Sequence, residues 1–458
     1  MHAGTPGRGA RWADAGEVAG LLSEGHVPGR LVVGAFDPPT RGRLGRRSRG
    51  APPLVAIEGG QSLAVVGPTQ SGKTTALAVP AILGWDGPVV AASVKSDLVQ
   101  ATAGWRRSQG EVWCFDPARS TGLPADDWSP LEVARTWAGA RRVAAGLTEV
   151  ARGEGTTADG DFWYATAAKL LAPLLLAAAT GGLEMADVVR WVDTQEVDEV
   201  LVLLEAAGVP EALDAARASW LREERQRSSV YTTAETVLEA FAEPVPPATR
   251  PGGRPIDLEA LVAGRHSLFV CAPAHDQRRL RGLFTAVVKA ALEAAFARAA
   301  RAGGPLDPPL LVVLDEAANI APVPELDSLA ATCAGHGIQL VTVWQDLAQL
   351  HARYGPRAAT VVNNHRAKVF LPGIADPATL DQASHLIGDE EVLADSVTRD
   401  TGGTRSTTSS PQQRPLLPPD ALRRMAPGTG VLVYGSLPPV RIRLRPWWED
   451  PVLVARQA

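Results

Sequence analysis

From residue 62 onward, short apolar runs alternate with longer segments of helical texture. The runs 62–66, 89–92 and 112–115 carry almost no charge, and 74–83 between the first two is compatible with a helix. Strands without a polar face, separated by helical segments, are what a sheet covered on both sides by helices requires. The pattern therefore predicts an α/β fold with a mainly parallel central sheet. Strand signals stop between about residues 124 and 255, where apolar residues such as Val197, Leu201, Leu204 and Val209 recur at helical spacing. The Pro- and Gly-rich stretch 243–253 closes this block, after which 267–271, 310–314, 338–344 and 368–371 restore strand texture. The expected organisation is an N-terminal segment and basic linker over 1–55, an α/β unit built from 56–123 and 256–450, and an all-α insertion over 124–255.

Beyond these elements, 396–413 is rich in Ser, Thr, Gly and Gln without an apolar period and reads as a mobile surface loop. The runs 431–434 and 440–444 are expected to close the sheet. Arg441, Arg443 and Arg445 then share one face of the last strand, for edge protection or for nucleic-acid contact. Arg41, Arg43, Arg46, Arg47 and Arg49 read as an exposed basic linker.

Composition narrows the class. With 45% hydrophobic and 21% charged residues, the 458-residue chain is globular and long enough for more than one folding unit. A net charge of −5 leaves any nucleic-acid contact to local basic patches. Cys114, Cys271 and Cys333 are too scattered for a disulfide framework or a zinc site and fit a reducing cytosol. Neither a secretory signal nor an N-terminal anchor is visible after Met1, and the apolar run 170–179 is short, broken by Pro173, and reads as a core helix.

Three segments carry chemistry. Gly67, Pro68, Thr69, Gln70, Ser71, Gly72, Lys73 and Thr74, with Thr75 after them, match the P-loop pattern between a strand and a helix. Its backbone N–H groups and the helix N-terminus hold phosphates, Lys73 reaches the β- and γ-phosphates, and Thr74 ligates Mg²⁺, so ATP with Mg²⁺ is the expected ligand. The strand 310–314 ends in Asp315, a candidate for the Mg²⁺ shell, and Glu316, a candidate to polarise the attacking water. The strand 338–344 ends in Gln345, either a γ-phosphate sensor or a cap for the next helix. Catalytic candidates are thus Lys73, Glu316 and Gln345, and an RecA-like P-loop ATPase is the implied fold.

Those residues resemble the type IV coupling proteins, the TraG/TraD-like ATPases of conjugation, and the likeness spans almost the whole chain. The segment from Leu314 to Leu326 is similar to the family's second nucleotide motif and that from Trp344 to Leu350 to its glutamine motif. Gly9 to Ala13 is similar to the opening that follows the family's membrane anchor, and Asp161 to Tyr164 to the start of its all-α domain. The resemblance implies an ATP-driven homo-hexamer on single- or double-stranded DNA that works with a relaxase or other secretion substrate and with type IV secretion channel components. The two transmembrane helices typical of the family are not seen, which leaves either a truncated form or a soluble member recruited by another subunit; the expected location is cytoplasmic, recruited to the inner face of the plasma membrane with indirect membrane contact. The family's trans-acting arginine is not at its usual turn, where Cys333 to His336 stand; Arg353, Arg357 and Arg366 are the alternatives. Lys95, Ser96 and Asp97 occupy the place of a Lys-Gly-Glu sequence. Arg278, Arg279 and Arg281 are candidates for DNA contact or a solvated helix start, and Trp163, Trp191 and Trp220 for core packing or partner contact. A duplex-DNA translocase of the FtsK/HerA class and a non-translocating nucleotide-binding adaptor remain as alternatives.

Overall fold

A computed structural model of the chain describes residues 9–38, 51–152, 158–242, 254–273, 275–399 and 405–457. The basic run from Arg41 to Arg49 and the Pro-rich stretch 243–253 lie outside them. The strands in chain order are β1 (Leu22–Ser23), β2 (Leu31–Phe36), β3 (Leu54–Ile57), β4 (Leu63–Val66), β5 (Val89–Ser93), β6 (Val112–Phe115) and β7 (Ser267–Cys271). They continue with β8 (Leu310–Leu314), β9 (Ile338–Trp344), β10 (Ala367–Phe370), β11 (Asp389–Arg399), β12 (Arg405–Pro415), β13 (Thr429–Tyr434) and β14 (Val440–Arg443). All except β11 and β12 join one 12-stranded sheet in the order β1-β3-β2-β14-β13-β10-β4-β9-β8-β5-β7-β6.

From β10 to β6 every neighbour is parallel, and from β10 outward through β13, β14, β2, β3 and β1 every pairing is antiparallel. Apolar strands alone make this possible, because both faces of the parallel half are covered. On β8, Leu310, Val312 and Leu314 enter the core beneath helices Trp137–Ala151, Ala158–Gly181 and Gln277–Ala302. Leu311 and Val313, one residue out of phase, enter the opposite core with Ile82, Leu83, Leu98 and Val99. A period of two therefore divides one continuous hydrophobic run between two cores.

Helices occupy the chain between β6 and β7: Trp137–Ala151, Ala158–Gly181, Met185–Thr194, Asp198–Ala207, Pro210–Trp220 and Glu224–Ala242. Local chemistry punctuates them. Thr136 accepts from the Gly139 N–H at 3.1 Å, Glu184 and Asp187 form a capping box, and Gly208 ends a helix at φ 66°. Among the described residues, Gly160–Gly181 is the one helix long and apolar enough to cross a membrane. Its residues Leu170, Leu171, Leu174 and Leu175 are buried in the core against the neighbouring helices and the sheet. Trp191 is fully buried, and Trp163 and Trp220 pack against the same core.

Three expectations need correction. Residues 1–55 were expected to stay outside the sheet, yet β1, β2 and the first half of β3 lie there and extend it. Their apolar runs are short and set among Gly, Pro and Arg, which hid them. Second, 440–444 does not close the sheet, because β14 pairs with β13 on one side and β2 on the other. Arg441 and Arg443 therefore protect no edge; they lie 2.8 and 3.7 Å from Asp37, while Arg445 lies 3.6 Å from Asp450. Third, the expected loop 396–413 belongs to the hairpin of β11 and β12, which pair from Asp389↔Pro415 to Arg399↔Arg405. None of the hairpin side chains described, at 389–394 and 409–415, is buried, so no apolar alternation is needed there, and Ser and Thr are compatible with strands.

At the β6 edge, side chains saturate the free backbone. Asp126 accepts from the Cys114 N–H at 2.7 Å and Arg254 donates to the Val112 carbonyl at 2.6 Å, which blocks further strand pairing. Deeper in the core, the Trp344 indole donates to Thr342 Oγ1 at 2.8 Å, Thr342 meets His365 Nε2 at 3.0 Å, and His365 Nδ1 lies 2.7 Å from the Val361 carbonyl. A carbonyl only accepts, so Nδ1 carries the proton and Nε2 accepts from Thr342. Burial pushes the His365 pKa down to about 4. The unfolded chain therefore binds a proton below about pH 6.5 that the folded one refuses until about pH 4, and stability falls as pH drops through that window, by on the order of 3 kcal/mol in total. Urea midpoints at pH 7.5 and 5 should differ more in the wild type than in His365→Gln; equal pH dependence in both would contradict this.

Candidate functional site

The loop after β4 turns through Gln70 at φ 64° and Gly72 at φ 90°, and its tightness is enforced at Gly67. A Cβ there would stand 2.8 Å from Leu371 Cβ and 2.9 Å from Ser71 Oγ. Helical winding starts directly at Thr74, first as Thr74–Ala78 and then as Val79–Gly84. Lys73 is 8% exposed and its ammonium donates to the carbonyls of Gly67 and Pro68, the latter at 2.6 Å. Burial lowers its pKa, against the pull of Asp315 and Glu316 and with the push of Lys95.

Opposite the loop, β8 ends in Asp315. Its carboxylate is 3% exposed and accepts from Thr74 Oγ1 at 3.0 Å and from Ser93 Oγ, at the end of β5, at 3.2 Å. Burial raises its pKa; the Thr74 hydrogen bond opposes that and Glu316 adds to it. The next residue, Glu316, has φ 66°, a left-handed backbone that costs a residue with a Cβ about 1–2 kcal/mol. Its carbonyl accepts from the Asn319 N–H at 2.9 Å and its carboxylate from Asn319 Nδ2 at 3.4 Å. Glu316 lines the same cavity as the loop residues 69–75.

Gln345 follows β9, and the cap of the next helix is not Gln345 but Asp346, which accepts from the Gln349 N–H at 2.9 Å. That removes the capping explanation for Gln345, whose own N–H is held by Gln349 Oε1 at 3.1 Å. A cavity of about 290 Å³ brings together Thr69, Gln70, Ser71, Gly72, Lys73, Thr74 and Thr75 with Lys95, Asp97, Asp315, Glu316 and Gln345. Gly67 and Pro68 stand behind it as acceptors for Lys73. The four strands that end here, β4, β9, β8 and β5, are adjacent in the sheet, so the site lies outside the carboxyl ends of a parallel sheet.

The donor set fits a hard divalent cation: a hydroxyl and a carboxylate oxygen already within 3.0 Å of each other, with no sulfur or imidazole. Among the described residues no group of three or more His, Cys, Asp or Glu is placed to hold a metal ion. The role of Lys95 and Asp97 was open from sequence; both line the cavity, and Ser93, which was not singled out, holds Asp315. Elsewhere, Arg279 lies 3.5 Å from Asp276 and Arg357 3.5 Å from Asp327, while Arg366 stacks 5.2 Å over Tyr434. None of the three lines this cavity.

The family described as "Type IV secretory system Conjugative DNA transfer" matches residues 19–458. The chain belongs to this family. It is 27% identical over 504 residues to a conjugal transfer protein TraG of Escherichia coli, covering 98% of this chain and 78% of the relative. It is 25% identical to Protein VirD4 of Agrobacterium fabrum, covering 85% of this chain and 59% of the relative. Among solved structures it is similar to the bacterial conjugative coupling protein TrwBdeltaN70, with TM-score 0.71 and 19% identity over 97% of this chain and 95% of that one. The same protein in complex with a non-hydrolysable ATP analogue matches with TM-score 0.68 and 18% identity over 97% and 96%. This coupling protein thus has the RecA-like P-loop fold expected from its sequence.

Backbone strain at Glu316 gives a test independent of activity. Glu316→Gly should be more stable than Glu316→Ala by about 1 kcal/mol, since both lose the carboxylate and only glycine accepts the left-handed backbone freely. Thermal unfolding of the two variants decides it, and an alanine variant at least as stable would contradict the assignment.

Proposed function

We propose that this coupling protein hydrolyses ATP in a ring of identical subunits and uses the cycle to deliver DNA, or a protein bound to DNA, to a type IV secretion channel. The observation that supports it most is the meeting of loop, paired carboxylates and glutamine at four neighbouring strand ends. Lys73 and the loop N–H groups hold the phosphates and balance charge as it shifts toward the leaving oxygen. Thr74 and Asp315 would hold Mg²⁺, which supplies further charge neutralisation during phosphoryl transfer. Glu316 orients the attacking water and accepts its proton, and Gln345 distinguishes triphosphate from diphosphate.

A single subunit leaves the nucleotide at its rim, so an arginine from a neighbouring subunit completes the transition-state clamp and ties hydrolysis to subunit motion. Arg353, Arg357 and Arg366 are the candidates, and Arg357 and Arg366 are exposed. An acidic chain can still hold DNA in such a ring, because one or two basic side chains repeated around a pore make many phosphate contacts.

Glu316→Gln should lower ATP turnover about 100-fold or more while retaining affinity for a non-hydrolysable analogue. Lys73→Ala should weaken that affinity itself at least about tenfold. Wild-type turnover in the glutamine variant, measured with and without single-stranded or duplex DNA, would contradict the proposal.

A further inference from the structure

A second cavity, of about 330 Å³, lies where helix Trp137–Ala151 meets helix Gln277–Ala302 and the start of helix Leu326–Thr332. Leu292, Phe296 and Val323 give it an apolar floor. Glu149, Glu293 and Glu325 line it against Arg142 and Lys289. Both cations are engaged, Lys289 with Glu325 at 3.1 Å and Arg142 with Glu293 at 3.4 Å. Glu149 is the lining carboxylate that forms no ion pair within 4.0 Å among the described residues. Burial raises its pKa and the nearby Glu325 adds to this, while Lys289, Arg357 and Arg152 offset part of it, so a further cation placed against the carboxylate would relieve what remains.

A smaller pocket of about 30 Å³ shares Arg142, Gly146, Lys289 and Glu293 with this cavity and reaches Trp128. Trp128 is 2% exposed, and its indole N–H has no hydrogen-bond partner among the described residues. A buried donor of that kind calls for an acceptor. The complement of the whole site is a positive head for the carboxylates, an aliphatic stem for the floor and a carbonyl for the indole, which together describe a basic residue within a polypeptide.

We infer that this cavity binds a lysine or arginine residue of a partner polypeptide, with its charge against Glu149 and its stem along Leu292 and Phe296. The wall is tied to the nucleotide site. Tyr354 donates to the Val323 carbonyl at 3.0 Å, and its ring meets Trp344 edge-on at 6.2 Å. Trp344 precedes Gln345, and its carbonyl accepts from the Gly67 N–H at 3.1 Å. Occupancy of the cavity therefore bears on ATP turnover. That link rests on the ATPase proposal, whereas binding itself does not.

Calorimetry on the full chain with acetyl-Leu-Arg-Leu-amide and acetyl-Leu-Glu-Leu-amide tests the site. The arginine peptide should bind at least about tenfold more tightly than the glutamate peptide, and Glu149→Gln should weaken it about tenfold. Gly146→Leu should abolish binding by filling the cavity, since a Cβ at Gly146 already comes within 4.0 Å of Lys289 Nζ. Both variants should melt as the wild type does and keep its affinity for an ATP analogue. No binding of the arginine peptide, equal binding of the two peptides, or undiminished binding by Gly146→Leu would overturn the site. Binding that leaves ATP turnover unchanged would overturn the link to Gln345 alone.

Discussion

Backbone hydrogen bonds at the ends of β4, β9, β8 and β5 hold the molecule's chemistry in one place. The Gly67 N–H donates to the Trp344 carbonyl, the Ala317 N–H to the Val343 carbonyl and the Asp315 N–H to the Ala92 carbonyl, at 3.1, 3.1 and 2.9 Å. Each bond joins a functional segment to the strand beside it. A slip of one residue in any of these strands would exchange the side chains that pack into the two cores on its opposite faces, so close packing in both cores fixes the register. Segments separated by more than 200 residues meet within one hydrogen bond at Thr74 and Asp315 because packing on both sheet faces leaves no other arrangement.

Charge is concentrated at that edge at a cost. Asp315 is nearly buried and Lys73 is little better exposed, and burial works against the ionised form of both. Two hydroxyls offset part of this for Asp315, and the carboxylates offset part for Lys73. Glu316 adds backbone strain. A chain selected for stability alone would carry none of these features together, and their coincidence on adjacent strand ends supports the proposed phosphate site.

Much of this was legible in the sequence because buried parallel strands must be apolar throughout, so 62–66, 89–92, 112–115, 310–314 and 338–344 stand out from the helical text around them. The loop from Gly67 to Thr74 and the pair Asp315 and Glu316 were legible for a related reason, since their residue types are dictated by backbone geometry and by charge. What stayed hidden depended on contacts distant in sequence. β2 and β3 form by pairing with β14 and with each other, and the described side chains of β11 and β12, at 389–394 and 409–415, include no buried one that would impose a period. Ser93 gains its role from a carboxylate 222 residues away. That Asp346 and not Gln345 caps its helix is a matter of one residue's offset, decided only by which side chain reaches the Gln349 N–H.

The central claim is that one pocket at this sheet edge gathers triphosphate, metal and water. A structure of the chain with Mg²⁺ and a non-hydrolysable ATP analogue tests it most directly. The account predicts a metal about 2.0–2.1 Å from Thr74 Oγ1 with the Asp315 carboxylate in or next to its shell, and Glu316 and Gln345 both facing the γ-phosphate. Nucleotide bound elsewhere, or bound here with Glu316 and Gln345 turned away from the γ-phosphate, would contradict it.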